Sequence, residues 1–100
     1  MTTLTLDIDP IVVEVTITDK KLLIDLEDGR SLAIPLEWYP RLLHGTSDER
    51  QNYQLLGDGY AIEWPELDEH IGIEGLLAGR QSSESQKSLE RWLGKRRKKE

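Results

Sequence analysis

Between Ile11 and Ile34 apolar and polar residues alternate in three short runs separated by turn residues. In Ile11–Thr18, Val13, Val15 and Ile17 fall on one side and Glu14, Thr16 and Thr18 on the other. In Lys21–Glu27, Leu22, Ile24 and Leu26 oppose Lys21, Asp25 and Glu27, with Leu23 breaking the alternation. Arg30–Ile34 continues with Leu32 and Ile34. A period of two marks a strand with one buried face. Asp19-Lys20 serves as the first turn, and Asp28-Gly29 suits a two-residue type I′ hairpin, whose central residues both need positive φ. The result is a three-strand antiparallel meander whose apolar face must be covered.

The cover comes next in the chain. In Pro35–His44 the period changes, and Leu36, Tyr39, Leu42 and Leu43 fit one helical face, with Pro40 in the first turn and Gly45 at the end. A charge on His44, near that helix end, is favoured by the helix dipole. Thr46 and Glu49 have capping-box spacing at the head of a second short helix over Ser47–Tyr53. Tyr53–Leu56 and Tyr60–Trp64 read as a second hairpin turning at Gly57-Asp58-Gly59 and joining the first sheet. Tyr60, Ile62 and Trp64 share one side of it, and Pro65 ends it. Glu66–His70 reads as an irregular acidic connection, and Ile73–Ala78 as a short helix closed by Gly79. Before the meander, Leu4, Leu6 and Ile8 alternate in an edge strand or frayed arm over Thr2–Pro10.

The predicted fold is therefore α+β: a meander plus a second hairpin, covered by short helices, in one domain over residues 1–80. Residues 81–100 form a polar linker and a basic tail. Charge supports this division. Residues 1–80 hold 6 basic and 16 acidic side chains, and residues 81–100 hold 7 and 3. An acidic body repels phosphates and suits a basic protein partner. In the tail, Leu89, Trp92 and Leu93 line one side of a helix from Ser88 onward, weakened by Gly94. So short a helix is marginal alone, so it orders only when a partner or the body receives Trp92. Cysteine is absent, no apolar run is long enough to span a bilayer, and no basic-then-apolar leader opens the chain. These features lead to the expectation of a cytoplasmic protein with no membrane partner.

Chemistry-bearing motifs are sparse. No phosphate-binding glycine loop, nucleophile elbow or zinc-protease motif occurs. Asp68, Glu69 and His70 are the one cluster suited to metal binding or acid–base work, although consecutive residues alternate sides in an extended segment. Trp38 lies off the apolar side of its helix and is free to anchor a partner. Lys95–Lys99 is a short basic run that can meet phosphates.

Three stretches together resemble one family: DGRSLAIPLEWYPRLL from Asp28, the capped Thr46–Arg50 segment, and YQLLGDGYAIEWPELDEHIGIEGLLAGR from Tyr53. The chain is similar to the bacterial family called domain of unknown function 2442 over Ser31–Arg80, and the tail lies outside that core. The resemblance implies an α+β domain with an antiparallel sheet and packed helices. It also implies that some relatives precede a helix-turn-helix domain, and that many sit beside a second small protein in the manner of toxin–antitoxin pairs. It supplies no catalytic residues. Gly72 departs from it, standing where Ser or a similar helix cap is expected.

The leading expectation is a non-enzymatic protein-interaction module, antitoxin-like in a two-gene system, without cofactor or metal. Its partner is a small protein, contacted through Trp38, Arg41, Trp64, Asp68, Glu69, His70 and Trp92. An open sheet edge also allows a homodimer. The alternative is a nucleic-acid-associated transcriptional regulator using Arg91, Lys95, Arg96, Arg97, Lys98 and Lys99. A third reading is a metal-binding or acid–base enzyme at Asp68, Glu69 and His70.

Overall fold

A computed structural model describes residues 10–98. The strand or arm expected before Pro10 lies outside the described residues. Strands β1 (Val12–Ile17), β2 (Lys21–Leu26) and β3 (Ser31–Pro35) form the meander, in that order. A 3-10 turn (Leu36–Trp38) leads into α1 (Pro40–Leu43) and α2 (Ser47–Gln51). Then follow β4 (Gln54–Leu56), β5 (Ala61–Trp64), a second 3-10 turn (Pro65–Leu67), β6 (Glu69–Gly72), α3 (Ile73–Leu77) and α4 (Gln86–Lys98). The fold is α+β, with two three-stranded antiparallel sheets.

Leu22, Ile24 and Leu26 are buried on one face of β2, as the alternation requires. In β1 the pattern shifts. Val12 opposes Leu26 and Glu14 opposes Asp25, so two residues on β1 span one on β2. This β-bulge turns Val13 outward, 56% exposed, and gives the core position to Val12. The 28–29 turn also differs from expectation. Gly29 has φ +94 and is the sole turn residue there with positive φ, and its N–H donates to the Leu26 carbonyl. With the Leu26 N–H donating to Arg30, the connection is a three-residue loop with a glycine bulge. The Asp28 carboxylate accepts the Arg30 N–H at 3.0 Å and fixes it.

The first helix is split. Pro40 lacks an N–H and biases Tyr39 away from helical ψ, so a 3-10 turn ends at Trp38 and α1 restarts with Pro40 at its first position. Leu36, Tyr39 and Leu42 still reach the core, and Leu43 does not. Thr46 and Glu49 form the predicted capping box. Arg50 reaches back to the Leu42 and Leu43 carbonyls at 2.8 and 2.7 Å, closing the end of α1.

The second hairpin does not join the first sheet. It gains β6 instead, from the segment expected to be an irregular acidic connection. Asp68 makes this possible by taking a left-handed conformation (φ 53) after the 3-10 turn, which sends the chain back along β5. The sheets touch where the Val12 N–H donates to the Gly59 carbonyl at 3.0 Å. Tyr60, expected inside, precedes β5 and is 48% exposed; Ile62 and Trp64 are fully buried, and Ala61 is buried too. Trp64 donates to the Arg50 carbonyl at 3.0 Å, which satisfies its one polar atom.

Candidate interaction surface

The tail is helical and lies on the body. Trp92 packs against the core cluster and Leu89 is buried. Two guanidinium carbons stand over the Trp92 ring, that of Arg41 at 5.1 Å and that of Arg96 at 4.7 Å. A flat π face beside two cations is attractive, and each such contact contributes about 0.5–1 kcal/mol at a half-exposed site.

Ion pairs hold both ends of this contact. Arg96 donates to both carboxylate oxygens of Glu49, at 2.9 and 2.7 Å. Glu49 Oε1 also accepts the Thr46 N–H at 2.8 Å, so the capping box is also the receptor for the tail arginine. The Arg96 hydrogen bonds hold the Glu49 carboxyl at about 2, well below its ordinary value. At the other end Arg41 grips Glu84 with Nε at 2.9 and 3.0 Å and Nη2 at 2.6 Å. Arg41 Nη1 meets the Asp68 carbonyl and carboxylate at 3.1 and 3.2 Å. The Arg41 and Glu84 side chains are 16% and 9% exposed. Hydrogen bonds from Arg41 lower the Glu84 pKa, and Ser88 adds a donor at 2.8 Å. The linker between body and α4 is pinned as well: Tyr39 OH donates to the Arg80 carbonyl at 2.7 Å, and the Ser82 N–H donates to Trp38 at 3.0 Å.

Of the residues expected to meet a partner, Arg41, Asp68 and Trp92 thus come together, with Arg41 touching both of the others. Trp38 is half-buried against the core and near the linker. Trp64 offers nothing to a partner, because it is fully buried and hydrogen-bonded. Asp68, Glu69 and His70 separate. The Asp68 side chain is 92% exposed, His70 shares the outward face of β6 with Glu63 of β5, and Glu69 sits opposite Trp64 on the other face. Burial raises the Glu69 pKa and is also the main cause of the rise at Tyr39. No group of three metal-ligating side chains converges among the described residues.

The basic tail is divided by its docking. Arg96, expected to meet phosphates, pairs with Glu49 in the docked helix. Lys87, Arg91 and Lys95 are exposed, four residues apart along the outward side of α4. Arg97 and Lys98 lie on the helix backbone, and Lys99 lies outside the described residues. Sequence reasoning missed Glu49 and Glu84 as tail contacts. Glu49 was already explained as a helix cap, and Glu84 lies in a polar linker without periodicity. The spacing of Leu89, Trp92 and Arg96 on one helical side was the legible signal.

The family model described as "Protein of unknown function (DUF2442)" matches residues 12–82. The chain belongs to this family. A crystal structure of a protein of unknown function from Rhodospirillum rubrum ATCC 11170 is similar to it, with a TM-score of 0.64 and 26% identity. That match covers 75% of this chain and 93% of the Rhodospirillum chain. No curated protein matches. The DUF2442 region ends at residue 82, so α4 and the Glu84 contact lie beyond it. Among the described residues no helix is long and apolar enough to cross a membrane.

Proposed function

We propose that this chain is a non-enzymatic protein-interaction module that works by covering a partner's surface, as the antitoxin-like member of a two-gene pair would. One observation carries the reading: the DUF2442 region holds a helix from outside its own boundaries through a tryptophan beside two arginines, with an ion pair at each end. Tryptophan and arginine anchors in a desolvated setting are the chemistry that carries most protein–protein affinity. The acidic body supplies long-range attraction for a basic partner and sets the rate of encounter. The test is capture with the tagged full chain, followed by calorimetry with the captured protein purified and recombined. Stoichiometric binding that persists at 0.5 M salt supports the module, and loss of all protein binding on recombination overturns it.

The outward row of Lys87, Arg91 and Lys95 favours a second reading, a nucleic-acid-associated regulator. Three phosphate contacts predict a slope of about −2.7 in log affinity against log salt on duplex DNA. A flat salt dependence, or no binding at 50 mM salt, removes this reading.

A further inference from the structure

We infer that α4 is a displaceable occupant of a helix-binding surface, and that the natural occupant is an amphipathic helix of a partner protein carrying an aromatic residue and, four positions later, an arginine. This rests on the interaction-module reading and names the kind of partner. The surface is built from Arg41 on α1, Glu49 on α2, and Pro65, Glu66 and Asp68 beyond β5. A groove of about 470 Å³ runs along it beside Trp92 and Arg96.

Three features of α4 argue for exchange. First, Glu49 and Arg41, which receive Arg96 and Trp92, lie inside residues 12–82, whereas the helix lies outside them. The DUF2442 region of this chain therefore carries these recognition groups. Second, α4 is a weak ligand. It has 13 residues with Gly94 in its interior, and a helix of that length is marginal without its contacts. Third, its attachment is one-sided. Leu89, Trp92 and Arg96 face the body, while Lys87, Arg91 and Lys95 face solvent. A foreign helix with the same three contacts and no interior glycine competes well once α4 opens.

The contacts define the partner's sequence chemistry. Arg41 requires a carboxylate just before the helix, as Glu84 supplies. The core edge takes an aliphatic residue at the Leu89 position and an aromatic three later. Glu49 takes an arginine four residues beyond the aromatic, because its two oxygens are spaced for a guanidinium fork.

The probe is a fluorescein-labelled peptide of residues 84–98, titrated by anisotropy onto the full chain and onto its Trp92→Ala/Arg96→Ala variant. The wild type masks its own surface by an intramolecular helix at millimolar effective concentration. The variant is expected to bind the peptide at least 10-fold more tightly than the wild type. Adding Glu49→Lys to the variant should abolish binding, and so should Trp92→Ala in the peptide. Equal binding by wild type and variant, or binding that survives either substitution, overturns the inference by showing a basic peptide on an acidic surface. A folded variant that does not bind also overturns it. Should the double variant fail to fold, Arg96→Ala alone serves, because it removes the Glu49 ion pair and one of the two cations on Trp92 while leaving Leu89 and Trp92 in place, and it must still rank above the wild type. A wild-type dimer in light scattering that Glu49→Lys dissociates makes a second copy's α4 the occupant and overturns the foreign helix. If recombined partner binding is untouched by Glu49→Lys, the inference fails while the module reading stands.

Discussion

Arg41→Ala should release α4 while leaving both sheets intact. Arg41 joins α1, Asp68, Glu84 and the Trp92 ring, so its loss acts on the tail from two directions. The fork to Glu84 is a charge-assisted, largely buried contact, and such contacts contribute about 2 kcal/mol after solvent competition. Stacking on Trp92 adds about 0.5–1 kcal/mol. Glu84, 9% exposed, is left without its cation, which pushes the linker outward. A total near 3 kcal/mol is about a 100-fold change in the opening equilibrium. The undocked helix is marginal, so this loss appears as local opening, not global unfolding. Native-state hydrogen exchange reads it directly. The Leu89 amide, bonded to the Ser85 carbonyl at 3.0 Å, should lose about two decades of protection, whereas Leu22 and Ile24 in β2 keep theirs. Arg41→Lys should fall between, since lysine keeps the charge but loses the planar fork. Equal loss in β2 and α4, or unchanged protection in α4, would refute the reasoning.

Other perturbations test neighbouring parts of the argument. Gly94→Ala should strengthen α4 by about 0.8–1 kcal/mol, since the added methyl meets nothing within 4 Å; slower exchange over 88–96 is the readout. Gly59→Ala should lower the melting temperature by about 10 °C, for a cost of about 2 kcal/mol. Its Cβ would meet the Val12 carbonyl at 2.7 Å with φ at +110, so an unchanged melt would show that the sheet junction yields. The Glu49 carboxyl lies below its ordinary 4.5, so the stability that it lends to docking is complete above that pH and is lost as pH falls toward about 2. Solvent at the edge of the pair reduces this to about 1 kcal/mol. An NMR titration of the Glu49 side chain with a midpoint near 4.5 would contradict the Arg96 pairing.

Much of the fold was legible because its signals are local. Period-two alternation placed all three meander strands, and Thr46 with Glu49 marked the start of α2. Gly79, with φ +79, closes α3 as read. The errors cluster where a nonlocal contact overrides a local pattern. The bulge at Val13 arises because Val12 must reach Gly59 across to the second sheet. The strand Glu69–Gly72 has little alternation of its own and forms because β5 offers an open edge and Asp68 turns the chain toward it. The tail shows the same limit. Its helical stripe was readable, but the body's answering groups, Arg41, Glu49 and Asp68, are scattered across 28 positions of sequence.

By itself the sequence determined the α+β class, the three meander strands, the capped start of α2, the charge division between body and tail, and the helical side that carries Trp92. Each of these follows from residues within a few positions of one another, where backbone geometry ties spacing to direction. Only the tertiary structure decided that the second hairpin recruits its own third strand, that Asp68, Glu69 and His70 diverge, and that Arg96 meets Glu49. Those outcomes depend on which surfaces meet after the chain has folded back on itself. The energy of an ion pair or a stacked ring is set by partners that are distant in sequence and adjacent only in space.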